Sequence, residues 1–503
     1  MTHPHFTRVA ATEGYTPHRS FRPGERVPIH AASRRERVSV RVTSAFDDDI
    51  LWSTTALQIE DHDVADRAWA EGCDWPVAFE IPTDASWAPG LHLVHFDDGE
   101  DGIDNAAWFV LGGTEPTRPL LVLATNTWNA YNQWGGRCMY TGAAHLSFER
   151  PLEHGYLTRP TDADGFDGRI ASVVPGDLEH ERLQRYQSDH DLPLWTASSG
   201  WFSFERRFVE WAAEQGIALD YALDIDLHRD PDLLTGRPVL LTVGHSEYWS
   251  GPMRDHVDTW VDGGGRWMIL SGNTSFWQVR IDDHVMTCHK GRARLDDPAM
   301  GDDRATLTSM WSDPIIGRSE NTSIGLSFTR GGYHRVGRAV GDGPGGYTVH
   351  RPEHWAVAGT GVAAGDLVGG DAITVGYEVD GCAMDDADPP SPTGEDGTPL
   401  DFEIIASAPA RLISITEDVC EAPVALWASV DPPGDLEGTS MILFGDASPE
   451  NVARIADGRC VMGTFRRGAG EVFNAGSADF VHGLVDPVIS RITANVLARF
   501  MGS

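Results

Sequence analysis

Three short stretches of this chain concentrate groups that could do chemistry: Asn126-Thr127-Trp128-Asn129-Ala130-Tyr131-Asn132-Gln133-Trp134-Gly135-Gly136, then Gly244-His245-Ser246-Glu247-Tyr248-Trp249-Ser250, then Gly272-Asn273-Thr274-Ser275-Phe276-Trp277. In the middle stretch His245 and Glu247 stand two apart, so in extended backbone both side chains leave on the same side. An imidazole beside a carboxylate can supply a metal ligand together with a proton-transfer group. The plainer alternative is a loop that opens a helix, with His245 and Glu247 satisfying backbone donors. A phenol at Tyr131 and a neutral amide at Asn273, on the neighbouring stretches, weigh toward chemistry.

The elements around these stretches would bring them together. LLVLAT, RPVLLTV and RWMILS are continuous apolar runs, as expected of strands buried on both faces, and each ends where one of the three stretches begins. Trp201, Phe204, Phe208 and Trp211 recur at helical spacing in WFSFERRFVEWAAEQG. YALDIDL reads as another strand. Ser250 and Pro252 are an N-cap and a first-turn proline for a helix whose inner face is Met253, Val257, Trp260 and Val261. This alternation predicts an α/β domain over 119–503 with a central, mainly parallel sheet. In such sheets ligands gather at the carboxyl ends of the strands, which is where the three stretches fall.

Ahead of it, RVSVRVTS, WPVAFEI, GLHLVHF and AAWFVL are short, turn-bounded strands, so residues 1–112 are expected to form an immunoglobulin-like β-sandwich, with 112–119 as linker. From about 281 to 480 the chain is Gly-rich and β-like, as in GYTVH and ITVGYEV. AMDDADPPSPTGEDGTP reads as a mobile acidic loop. Ile489, Ile492, Val496 and Phe500 make one face of a terminal helix expected to dock on the sheet.

Several weaker features carry a plain reading. Asp224, Asp226 and His228 alternate along LDIDLH and could share a face as metal ligands, but such acids more often end a strand or cap the next turn. Gly263-Gly264-Gly265 follows a helix and reads as a C-cap, not a phosphate cradle. The six cysteines, Cys73, Cys138, Cys288, Cys382, Cys420 and Cys460, show no zinc or disulfide spacing. With no apolar signal segment or membrane-length run, the chain is expected to be cytoplasmic. Thirty-nine basic against 75 acidic residues, a formal charge of −36, argues against nucleic acid or an anionic membrane as partner.

NTWNAYNQWGG, GHSEYWSGPMRDHVDTWVDGGGRWMILSGN and GYEVDG resemble, in order, the C-terminal domain of the N,N-dimethylformamidase large (beta) subunit family, over roughly 119 to 500. The resemblance implies a class I glutamine amidotransferase-like or flavodoxin-like α/β fold and an amidohydrolase that cleaves the C–N bond of a small uncharged amide. It implies a mononuclear, ferric iron held by two tyrosines and a glutamate. Glu247 matches the carboxylate and Tyr131 the first tyrosine. Tyr156 in SFERPLEHGY is the expected second, with Tyr140 and Tyr186 as alternatives. His245, Asn273 and Glu378 resemble the family's pocket residues, and Lys290 a lysine there. In that frame Glu378 or His245 would move the proton of a bound water, and Asn273 would hold the developing oxyanion. A small subunit, or a second copy of the chain, is a further expected partner.

Two other readings stand beside this one. A metal-independent hydrolase of the amidotransferase-like kind would use Ser246 as nucleophile, but Tyr248 occupies the place of the second glycine of a G-x-S-x-G elbow. A carbohydrate- or ligand-binding protein without catalysis is the other.

Overall fold

The computed structural model describes residues 10–47, 49–97, 106–113, 115–170, 178–334, 343–414 and 434–502. Cys420 and Thr114 of the expected linker lie outside them.

Near the N-terminus, alternating apolar residues build two antiparallel sheets. One joins Thr12–Tyr15, Arg26–Ser33 and Val77–Pro82. The other runs Ile50–Leu57, Val38–Ser44, Gly90–Asp97, Ala106–Leu111 in space. Val27, Ile29 and Ile81 from the first share a core with Val38, Val40, Val42, Val94 and Phe96 from the second. This part rests on the central domain: His18 stacks on Phe148 at 3.9 Å between ring centroids, and its Nε2 lies 2.9 Å from Thr125 Oγ1. Trp108 meets Trp128 edge-on at 5.5 Å.

The central sheet has nine strands among the described residues. Asp220–Leu223, Leu120–Leu123, Leu240–His245, Arg266–Gly272 and Gly470–Asn474 lie side by side and parallel. Gly458–Arg467, Glu403–Ala410, Tyr347–Val349 and Leu367–Val368 continue the sheet antiparallel. The expectation of a mainly parallel sheet is therefore corrected: only one half is parallel. Gly458–Arg467 and Gly470–Asn474 are joined by Gly468 and Ala469, a turn too short for the crossover a parallel pair requires.

Local signals act as their chemistry suggests. Ser250 caps the helix Gly251–Asp262 by accepting from Met253 N, and Gly263 ends it. Ile489, Ile492, Val496 and Phe500 are buried on the helix Pro487–Met501. YALDIDL is not one strand: the chain turns from the strand Asp220–Leu223 into the helix Asp224–Arg229. The three polar side chains consequently part. Asp224 accepts from Thr125 Oγ1 (2.5 Å) and Asn126 N (2.6 Å), Asp226 caps Leu223 N, and His228 meets Ser250 Oγ.

The stretch expected to be a mobile acidic loop is instead pinned. Ala383 N donates to Asp396 (2.7 Å), Thr393 N to the Ala383 carbonyl, and Glu395 pairs with Arg330 and Arg454. Its acids find local donors, which composition alone does not disclose. The five described cysteines are buried and none is in a disulfide, and no helix among the described residues is long and apolar enough to cross a membrane.

Candidate metal centre

The three polar stretches do meet, because their strands are consecutive neighbours in the parallel half of the sheet. Leu120–Leu123 leads into the helix Thr125–Tyr131, Leu240–His245 into Ser246 and Glu247, and Arg266–Gly272 into Asn273. A buried glutamate sets the first of these. Glu205 accepts from Ala124 N (3.4 Å) and Trp128 Nε1 (3.1 Å), holding the start of the helix that carries Tyr131. Arg150 secures the far end of that helix and the chain beyond it, donating to the carbonyls of Asn129, Asn132, Trp134 and Ser147.

Two glycines permit the close approach. Gly244 has φ +76°, and a Cβ there would lie 2.2 Å from Phe204 Cβ; it turns the strand so that His245 faces inward. A Cβ on Gly272 would lie 2.3 Å from the Glu378 carbonyl oxygen, so only glycine lets this strand end touch the strand Tyr377–Gly381. That strand, paired with Ser327–His334, delivers Glu378. Non-glycine residues with left-handed backbone gather here as well: Asn273 (φ 48°), Ser275 (54°), Lys290 (52°) and Tyr377 (54°). L-residues adopt that conformation only where surrounding contacts hold them, and such positions concentrate at functional sites.

The resulting group is buried and continuous. His245 Nε2 lies 2.6 Å from Glu378 Oε2 and 3.4 Å from Glu247 Oε2, and His245 Nδ1 is 2.8 Å from the Ser198 carbonyl. Asn273 Nδ2 donates to Glu378 Oε2 at 2.9 Å. Tyr131 OH donates to Glu247 Oε2 at 3.2 Å, and Tyr140 OH reaches both Glu247 oxygens at 2.9 Å. The Tyr131 and Tyr140 rings stack at 4.3 Å. Lys290 Nζ sits 3.5 Å from the centroid of the Tyr140 ring. One ligand atom from each of His245, Glu247 and Glu378 falls within 4.8 Å of the others, a group that could hold a metal ion.

The charges are coupled. Burial pulls the His245 pKa down, but Glu378 beside it, then Glu247 and the Ser198 carbonyl, raise it to about 9. Burial works against an ionised Glu378, yet His245 and hydrogen bonds from His245, Asn273 and Tyr377 hold its carboxyl below the ordinary value. Glu247 is pushed up, by burial first and by Glu378, with His245 and Lys290 opposing. Both phenols are raised well above 10, by burial and then by Glu247. Without a metal the phenols thus keep their protons and donate hydrogen bonds to Glu247.

These residues fit a metal that takes hard oxygen donors. Two phenols and a carboxylate converge, a second carboxylate and an imidazole adjoin, and Asn273 Oδ1 is buried without a partner.

Of the residues anticipated from sequence, His245, Glu247, Glu378, Asn273, Tyr131 and Lys290 are brought together. Tyr156 is not. Its hydroxyl donates to the Tyr131 carbonyl at 3.0 Å, under the helix end rather than at Glu247. Tyr186 OH donates to the Pro160 carbonyl, so of the three anticipated tyrosines it is Tyr140, on the turn Met139–Thr141, that reaches Glu247 beside Tyr131. Ser246 Oγ accepts from Trp249 Nε1, while the two ring nitrogens of His245 face Ser198 and Glu378, so no Ser–His pair forms.

Three aromatic residues of the centre were not singled out from sequence. Tyr248 OH meets Tyr140 OH at 3.0 Å, Tyr377 hydrogen-bonds around Tyr131, Ser198 and Glu378, and Trp195 lies 5.2 Å from the Tyr140 ring. Tyr248 and Tyr377 stand beside Glu247 and Glu378 in GHSEYW and GYEVDG, so adjacency was the available signal; Trp195 offered none.

No curated protein shows significant similarity to the chain. The sequence profile described as N,N-dimethylformamidase beta subunit-like, C-terminal, matches residues 43–493. The match begins within the strand Val38–Ser44, well before residue 119, where the resemblance of the motifs starts. On this coverage the chain belongs to the N,N-dimethylformamidase beta subunit-like family.

Proposed function

We propose that the protein is an iron-dependent amidohydrolase that cleaves the C–N bond of a small amide. The observation that carries this reading is the convergence of the Tyr131 and Tyr140 hydroxyls on Glu247, next to the His245–Glu378 pair, in a chain of this family. Tyr131, Tyr140 and Glu247 would hold the ion. All three are hard anionic donors once the phenols lose their protons, which suits ferric iron. When bound, such an ion supplies Lewis acidity toward an amide carbonyl and a water.

The chain's own residues account for the rest. Glu378 Oε2, in contact with His245 Nε2 and Asn273 Nδ2, is placed to take a proton and return it to the departing amine. His245 steadies the negative charge of both carboxylates. Asn273, fixed by its left-handed backbone, is a neutral donor for a developing oxyanion. Trp195, Tyr248 and Trp277 wall the group and limit water, which strengthens each charge interaction within.

Elemental analysis and a visible spectrum of the purified protein test the reading, followed by a screen of small amides for released amine. About one iron per chain with a phenolate-to-iron absorption, lost in Tyr131→Phe, is expected. Well-folded protein that takes up no iron and hydrolyses no amide would leave it without support.

A further inference from the structure

A third phenol joins the two that converge on Glu247, and the chemistry above gives it no part beyond forming a wall. Tyr248 OH donates to Tyr140 OH at 3.0 Å. Tyr140 in turn donates to Glu247, whose two carboxylate oxygens each lie 2.9 Å from its hydroxyl. A phenol has one proton to give, while its oxygen can also accept. With the Tyr140 proton directed at Glu247, the proton in the Tyr248–Tyr140 contact belongs to Tyr248. The donors therefore run in one direction, Tyr248 to Tyr140 to Glu247, and the chain closes on two consecutive residues.

The fold holds both ends of this contact. Tyr248 opens the short strand Tyr248–Ser250, in parallel register with Trp277–Asp282, and its carbonyl accepts from Asn126 Nδ2 at 3.1 Å. It is 1% exposed, so solvent does not compete for its hydroxyl. Tyr140, on the turn Met139–Thr141, is fixed by the Tyr131 ring on one side (4.3 Å) and by Lys290 Nζ over its own ring (3.5 Å).

Two phenolates 3.0 Å apart in a buried site would repel strongly, so one of this pair keeps its proton. Tyr140, which shares Glu247 with Tyr131, is the one placed to ionise on binding iron; Tyr248 stays a phenol. Once Tyr140 loses its proton, the hydrogen bond from Tyr248 ends on a charged oxygen in place of a neutral one. Charge-assisted hydrogen bonds are roughly twice as strong as neutral ones, so the contact favours the ionised form of Tyr140.

We propose that Tyr248 is a positioning residue of the iron centre: its hydroxyl donates to the Tyr140 phenolate, holds that oxygen in place and draws charge from it. A phenolate that shares charge with a hydrogen bond gives less of it to the metal, which preserves Lewis acidity toward the amide carbonyl. Tyr248 acts through Tyr140, and this role rests on the iron-dependent reading above.

The test uses the full chain loaded with ferric iron, as wild type, as Tyr248→Phe and with Tyr248 replaced by 3-fluorotyrosine. Fluorine withdraws electrons from the ring and makes the phenol a stronger hydrogen-bond donor. The readouts are the phenolate-to-iron absorption maximum and the iron affinity in competition with nitrilotriacetate, with the melting transition as the check of folding. Tyr248→Phe is expected to bind iron about tenfold more weakly, as for the loss of other partners of metal ligands. Its absorption maximum should move to longer wavelength, because a phenolate without that hydrogen bond gives up an electron more readily. The 3-fluorotyrosine protein should move it to shorter wavelength. Loss of packing alone does not produce shifts of opposite sign. Coloured protein whose maximum is the same in all three forms overturns the proposal and leaves the iron centre standing. A maximum unmoved by fluorination does so even where Tyr248→Phe fails to fold. Tyr248→Phe that holds iron without colour also overturns it, since Tyr248 would then be a ligand itself. Wild-type protein that takes up no iron, or takes it up without colour, sinks the iron-dependent reading and the role of Tyr248 with it.

Discussion

Glu205 offers a prediction whose size is set by its surroundings. Its side chain is 1% exposed, Oε1 accepts from Trp128 Nε1 and Ala124 N, and Oε2 has no partner. Burial raises its pKa from 4.5 to about 7, against hydrogen bonds that pull it down. The folded chain therefore keeps a proton that the unfolded chain has released. The stabilising contribution is complete below 4.5 and is lost as pH rises through 7. Between about pH 5.5 and about pH 8 this single group should lower stability by roughly 2 kcal/mol. Glu205→Gln keeps the Oε1 acceptor and removes the titration. Urea unfolding of both proteins at the two pH values is the assay, read as the difference between their pH-dependent changes. Glu153 and Asp224, each raised to about 7 by burial, act in the same direction in both proteins and cancel in that comparison. A variant that loses as much stability as the wild type on going to pH 8 would refute the argument, since Glu205 would then be ionised in the folded state.

Three further outcomes are expected. Gly272→Ala puts a methyl 2.3 Å from the Glu378 carbonyl and 2.4 Å from Ala478 N, both backbone atoms, and should cost about 3 kcal/mol or more in denaturant unfolding; a loss under 1 kcal/mol would mean the strands part easily. Arg150→Met strips hydrogen bonds from four buried carbonyls around Tyr131 and should destabilise by at least about 3 kcal/mol, measured the same way. Tyr140→Phe should abolish iron-dependent visible absorption while Tyr156→Phe retains it, because of these two hydroxyls only that of Tyr140 reaches Glu247; the opposite pattern of colour would return Tyr156 to the ligand set.

Much of the architecture could be read in the chain because it arises from local pattern. Apolar runs bounded by turn residues marked four of the five parallel strands, Gly470–Asn474 being the exception, and the cap at Ser250 and the face through Ile489 and Phe500 marked helices that the fold contains. The same reading put His245, Asn273 and Tyr131 at strand ends, because polar loops after buried strands have few other places to go. Glu378 and Lys290 came from resemblance alone.

What the sequence could not decide depends on contacts between distant segments. Tyr140 and Tyr156 are both tyrosines in loops downstream of Tyr131, and nothing in their spacing ranks them. The turn Met139–Thr141 lifts one onto Glu247, while the bond to the Tyr131 carbonyl turns the other beneath. The antiparallel half of the sheet likewise depended on which strands paired across long loops, and hydrophobic runs look alike in either direction. Arg159, Arg169 and Arg207, which gather with Asp167, Asp479 and His482 around one small cavity, likewise come from distant segments and are unremarkable in sequence. Type and periodicity are properties of neighbours along the chain, and so they are written in it; which phenol meets which carboxylate, and which charges share a cavity, is set only when packing brings separate segments to within a few ångströms.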